Sequence, residues 1–522
     1  MTRRALLLAI ALAGAPAAAQ QRPAEEDVFA APPAPPRQAP KEAPKEAPAE
    51  EPRRPSDADL LGKPAAAPGE TSGRPAAEAR LRSLLGETDN PLQIGGVLYL
   101  RAAVTAQEGA APSRWPLSSP SLVDVYLDAR PGDRVRGFGL VRTFYDPTLA
   151  SPSGLAALEG AGQVSSLGQG ATLRSILDQL WLRFDAGRTV FFTAGRQHVK
   201  WGTGRFWNPT DFLHAARRNP LATFDDRAGT AMLKAHFPWE ARGWNLYALA
   251  IAEPLVTKPS SLYLSQQQPP SNQLGAVGGA ARAEAVLGSW EIGIDGAAQR
   301  GMDPRLGLDF STGLWEIDLR GEAALRQGSD APRWRAPPPG NAIDPAALQA
   351  PAPGGLRTSA VLGAEWQHRY SDEDTFTVGA EYFWNQNGYG DAHVYPVLAF
   401  TNSFTPFYVG RHYAGAWLYL PRPGSWNLHT FTFSLLGNLS DASFVGRIDW
   451  SVTLLTYLTL ETWLAGHAGA KGGEFRFGLD ESVQLPTGVP CPAGTTTGTS
   501  GVCRVYFATP VVDAGVALRM AL

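Results

Sequence analysis

Beyond Pro91 this chain alternates apolar and polar residues with a period of two, and no other feature restricts its fold as strongly. In Val123-Asp124-Val125-Tyr126-Leu127-Asp128-Ala129-Arg130, one face carries Val, Val, Leu and Ala; the other carries Asp, Tyr, Asp and Arg. Trp290 to Asp295, Phe376 to Glu381, Gly446 to Val452 and the tail Val512 to Leu522 repeat the pattern. Such segments are strands with one apolar and one polar face. No run of eighteen or more apolar residues follows the N-terminus, so a spanning helix is not expected.

Alternation alone fits a soluble sandwich as well as a membrane barrel. Connection lengths separate the two. Tight turns fall at 130–133, 185–188, 238–243, 287–289, 371–374 and 421–425, and long Pro- or Gly-rich stretches such as 327–355 and 469–506 lie between them. A short, long rhythm is what a transmembrane barrel gives, with turns in the periplasm and loops outside. Trp239, Trp244, Trp290, Trp315 and Trp426 all sit beside short turns. That is the depth where an aromatic girdle meets the membrane interface, because the ring is apolar and its N–H seeks water. The fold class expected is all-β: a transmembrane antiparallel barrel over residues 91–522, of about 18 strands, or about 16 if Leu306 to Thr312 is not a strand. Unpaired strand edges in lipid would leave N–H and C=O groups without partners, so the sheet must close.

The first residues form a basic start (Arg3, Arg4), an apolar run (Ala5 to Gly14) and small residues Ala17-Ala18-Ala19, the pattern of a secretory signal peptide over 1–19. Residues 20–90 are dominated by Pro, Ala, Glu, Lys and Arg, including the repeated APKE unit. Such a segment has too little to bury and is expected to be a disordered periplasmic spacer, with cell-wall or periplasmic contact as its possible partner. The address expected is the bacterial outer membrane, with its lipid as solvent. A net charge of -3 and pI near 6.3 give no basic field for nucleic acid.

The chemistry-bearing stretch is GRQHVKWGTGRFWNPTDFL, Gly195 to Leu213. Thr189 to Trp201 is expected to rise through the membrane after the 185–188 turn, so Arg196, His198 and Lys200 share a face, with Val199 and Trp201 outward or at the rim. A lipid-facing Arg or Lys near the midplane costs about 2–4 kcal/mol, so the three basic residues are expected in the lumen. The next loop, 202–228, carries Arg205, Asp211, Arg217, Arg218, Asp225, Asp226 and Arg227 among aromatic residues. An outside loop needs few aromatics; one folded into the barrel packs them on the wall and sets its charges across the water path. Trp201, Asn208 and Pro209 read equally well as structural, since Asn-Pro followed by Asp makes a turn.

The run Gly195-Arg196-Gln197, Trp201-Gly202 and Asn208-Pro209-Thr210-Asp211 resembles a signature of poorly characterised porin-like outer-membrane barrels of Gram-negative bacteria. The match covers under twenty residues. Membership would imply an outer-membrane channel with no reaction attached. One departure is the C-terminus, Met520-Ala521-Leu522, where such strands often end in Phe.

The expected function is passive passage of small polar or anionic solutes, with loop 202–228 as a constriction. The rival is a non-conducting scaffold or sheath for an export or electron-transfer partner. An enzyme is not expected: there is no Gly-x-Ser-x-Gly, His-Glu-x-x-His or Cys-x-x-Cys motif, and no cofactor or metal is implied. The two cysteines, Cys491 and Cys503, are expected to form one disulfide in an oxidising compartment.

Overall fold

The computed structural model describes residues 91–148, 173–225, 227–255, 273–338, 342–371, 374–484, 496–497 and 502–522; the signal peptide and spacer expected before them lie outside the described residues. Eighteen antiparallel strands close into one barrel. They are β1 (Leu92–Gln107), β2 (Ser121–Gly132), β3 (Val135–Tyr145), β4 (Leu173–Ala186), β5 (Val190–Gln197), β6 (Thr230–Trp239), β7 (Trp244–Ile251), β8 (Gly278–Leu287) and β9 (Trp290–Gln299). The circuit continues through β10 (Met302–Leu314), β11 (Ile317–Gln327), β12 (Leu356–Arg369), β13 (Thr375–Asn385), β14 (His412–Pro421), β15 (His429–Asn438), β16 (Ser443–Leu455), β17 (Leu458–Gly469) and β18 (Pro510–Ala521). Each strand pairs with its sequence neighbour, and β18 returns to β1 with Leu98 against Met520 and Ala102 against Val516. The stretch 306–312 lies within β10, so the count is eighteen rather than sixteen.

Side-chain parity explains why the closed form is a membrane form. On β2, Val123, Val125 and Leu127 are exposed while Asp124 and Asp128 are buried. On β10, Leu306 and Leu308 face out while Arg305 and Asp309 face in. A soluble protein would do the reverse, so the outer surface is matched to lipid and the interior is polar. The inward charges are paired. Arg142 meets Asp124 at 2.8 Å, and Arg282 meets both Asp295 (2.7 Å) and Asp309 (2.5 Å).

Connections at the end holding both termini are short, while most at the other end are long; 300–301 and 439–442 are short exceptions at the long end. Three long connections, 328–355, 386–411 and 470–509, pack a hydrophobic cluster of their own. It contains Trp334, Ile343, Tyr395, Val397, Leu398, Phe477 and Val505. The helix Tyr395–Phe400 and the paired strands Leu479–Gln484 and Val502–Phe507 contribute to it. The long loop 331–353 is thus partly a wall of this cap, through Trp334 and Ile343.

Candidate functional site

Residues 198–229 form the connection between β5 and β6, and its described part contacts inward-facing groups of the barrel wall. This segment makes neither helix nor sheet, so its backbone N–H groups need acceptors from elsewhere. Two inward carboxylates supply them. Glu322 of β11 accepts from the N–H groups of Thr203 (2.6 Å) and Gly204, and also from the Asn208 amide (3.0 Å) and Thr210 hydroxyl (2.8 Å). Glu381 of β13 accepts from the N–H groups of Arg205 (2.6 Å), Phe206 (3.1 Å) and Trp207 (2.9 Å). Five consecutive peptide donors, 203 to 207, therefore point at two wall carboxylates. Bonds of this kind to a charged acceptor contribute about 1.5–3 kcal/mol each, well above a neutral pair.

The glycines of the motif follow from this approach. Gly202 has φ +90°, and a Cβ there would lie 2.5 Å from the Glu322 carboxylate. A Cβ on Gly204 would lie 2.0 Å from the Trp207 carbonyl oxygen. Neither position admits a side chain without moving the loop.

Apolar side chains fix the same segment to the wall all around the barrel. Phe206 and Trp207 join Phe383, Tyr413, Trp417 and Leu436. Trp207 also donates its indole N–H to the Phe407 carbonyl at 2.9 Å. Val199, Trp201, Phe212 and Leu213 pack with Met232, Leu249 and Ile251. Phe224 lies edge-on to Tyr99 at 4.9 Å. Arg447 of β16 and Arg142 of β3 donate to the carbonyls of Leu221 (3.0 Å) and Asp225 (2.5 Å) from still other sides.

The three alternating basic residues are not a lumenal row, and this corrects the sequence reading. Strand β5 ends at Gln197, so the parity that would group Arg196 with His198 and Lys200 does not continue. Arg196 pairs across with Leu180, which is 55% exposed on the outer face, and with Ala231. Its guanidinium binds Glu253 and the Leu177 carbonyl (3.1 Å). At the loop end of its strand the charge lies away from the midplane and is paired, which removes the cost that excluded an outward position. Lys200 is exposed beyond the strand. Val199 and Trp201 turn inward instead; Trp201 is only 3% exposed. The aromatic residue is inside and the arginine outside, opposite to expectation.

His198 does reach the interior. Its Nε2 meets Asp178 of β4 at 2.8 Å, and its Nδ1 lies 3.3 Å from Nε2 of His214. His214 in turn contacts Asp211 at 2.9 Å, Asp211 pairs with Arg227 at 2.7 Å, and Arg227 with Asp225 at 2.6 Å. Burial pushes Asp211 up, but the charges of His214 and Arg227 outweigh it and hold the carboxyl well below its usual range. Burial likewise opposes ionisation of Asp225, and its bonds to Arg227 hold it down to about 2. Asp211, Asp225 and Arg227 are thus spent on one another. Asp226 lies outside the described residues.

The remaining arginines of the loop are placed differently. Arg205 lies over the Trp417 ring at 4.8 Å, Arg217 over the Tyr408 ring at 5.7 Å, and Arg218 donates weakly to the Arg205 carbonyl (3.4 Å). Among the described residues none of the three makes a salt bridge. Asn208 and Pro209 are buried and structural, Asn208 through its bonds to Gly204 and Glu322. Cys503 is fully buried in the cap, while Cys491 lies outside the described residues, so their bond stands as a proposal. The sequence reading missed Asp178, His214, Glu322 and Glu381. Parity along β11 and β13 was the available signal for the two glutamates.

No family model and no curated protein matches the chain. Solved barrels with which it shares a general likeness include a mutant porin from Rhodopseudomonas blastica. That match has 10% identity and a TM-score of 0.35, covering 83% of this chain and 100% of the porin. OccAB4 of Acinetobacter baumannii gives 8% identity and a TM-score of 0.45, and OccK2 (OpdF) of Pseudomonas aeruginosa 11% and 0.44. Each of these covers 83% of this chain and 98% of the other. At these scores the likeness carries no argument about solute or mechanism.

Proposed function

We propose that this protein is an outer-membrane channel of porin type, passing small polar solutes with a modest preference for anions, and that segment 202–228 is its constriction. The observation that carries the reading is the course of that segment. It is tied to inward groups of β3, β11, β13 and β16, and so it lies across any path along the lumen. Its described acids, Asp211 and Asp225, are held by Arg227 and His214, so among the described residues Arg205, Arg217 and Arg218 are the charges of the segment left for a passing ion. Charges in a narrow, weakly screened path act on an ion more strongly than exposed surface charges do.

A scaffold or sheath around a protein partner fits less well, because this segment occupies the space a threaded chain would need. The two readings part in a planar bilayer. The channel reading expects conductance from the full-length protein and an anion-selective reversal potential in a potassium chloride gradient. Deleting Thr203 to Phe224 is expected to raise conductance. Replacing Arg205 and Arg218 by glutamine is expected to move the reversal potential toward cations, while Arg196→Gln leaves it unchanged. Absence of conductance from a correctly assembled barrel would remove the channel reading and leave the sheath.

A further inference from the structure

A cavity of about 760 Å³ lies against the loop-end face of the constriction, and its wall is strongly cationic. Arg217 comes from the constriction, Arg305 and Arg326 from the loop ends of β10 and β11, and Arg333 from the cap. Among the described residues Asp330 is the only acid lining it. Asp330 engages Arg305 at 2.6 Å and Arg326 at 3.5 Å, and one carboxylate cannot neutralise both. Arg333 is committed to the carbonyls of Asn387 and Gly388 and to the Tyr389 face at 3.7 Å.

Arg217 is different. Among the described residues it makes no hydrogen bond or salt bridge, and its recorded ring contact is with Tyr408. Burial and the neighbouring charge of Arg305 weaken its hold on its proton. A half-buried guanidinium held beside two others, with five donors and no acceptor, is an arrangement that an anion stabilises. The Nε of Arg305 is also buried without a partner. Apolar rings complete the wall: Phe212 lies beneath Arg305, with Tyr408 and Phe404 nearby. Small inorganic anions would satisfy the arginines and leave these rings unused.

We propose that this cavity is a binding site for small aryl carboxylates, above all dicarboxylates. Their carboxylates would bridge Arg217 and the Arg305–Arg326 pair, and their ring would lie among Phe212 and Tyr408. The inference rests on the channel reading only for its purpose, since the site would concentrate such acids at the constriction. Binding itself does not require conductance.

The experiment uses full-length protein in detergent, with phthalate as probe and benzamide and chloride as controls, followed by titration calorimetry. Saturable phthalate binding is expected, with none for benzamide at matched concentration. Arg217→Gln should weaken phthalate by about tenfold or more, the scale of a lost charge-assisted contact. Arg217→Lys should recover part of the loss, because the charge remains and the planar fork does not. Heat-modifiable migration on gels checks that each variant still forms a barrel. Absence of saturable binding, equal binding of benzamide, or wild-type affinity in a folded Arg217→Gln variant would each overturn the proposal. Phthalate binding without conductance would sink the channel and leave this site standing. Conductance without phthalate binding would do the opposite.

Discussion

At Glu322 and Glu381 the carboxyl oxygens accept from several loop donors, and an amide of the same shape cannot replace either carboxyl. Glutamine would keep one acceptor and turn an NH2 toward peptide N–H groups that already need partners. Replacing both residues by glutamine should therefore loosen segment 203–207 while the barrel stays closed. Orphaned buried donors cost about 1–3 kcal/mol each. The checks are faster limited proteolysis within 203–224 and noisier, higher conductance. Unchanged protease resistance would show that the aromatic anchors hold the segment without the carboxylates. The same scale shows what the motif encodes. Gly202, Gly204, Asn208 and Thr210 are all shaped around one glutamate, Glu322, that lies 112 to 120 residues away in sequence.

Among the elements, the end of β5 decided the fate of the basic row. One residue past Gln197 the pleat stops, and parity says nothing about His198 or Lys200. The cap shows a second effect of element context. Glu474, on the turn Glu474–Arg476, accepts from the Tyr413 hydroxyl at 2.6 Å, the Phe407 N–H and the Asn438 amide (2.9 Å). Burial prevails over these bonds and pushes its carboxyl up to about 8. A carboxyl whose native pKa exceeds its unfolded value of about 4.3 binds more protons when folded, so stability falls as pH rises between the two values. The temperature at which the folded gel form is lost should therefore drop from pH 5 to pH 8. Glu474→Gln, which stays neutral, should flatten that dependence. An equal drop in the variant would assign the effect to other groups.

For the whole molecule, the barrel divides the chain into a short-turn end with both termini and a long-loop end carrying the cap. If the short-turn end faces the periplasm, the cap lies outside the cell. An impermeant thiol reagent on intact cells should then label Cys491 only after reduction. Cys503, fully buried, should follow more slowly. Labelling without reduction would show free thiols; labelling only in lysed cells would invert the topology.

The class, the strand number and the outer face were legible because each is local. A period of two read along β2, β9, β13, β16 and β18 sorts residues by solvent without knowledge of any partner. The acceptors of the five peptide donors at 203–207, the outward turn of Arg196 and the gathering of Arg217, Arg305 and Arg326 around one cavity were not legible. Each depends on residues about 60 to 180 positions apart meeting in space, Arg196 with Glu253 on the outer face and the others from different strands and loops. Local pattern fixes which way a side chain on a strand points. Only closure of the sheet, which brings distant segments against its wall, decides what that side chain meets.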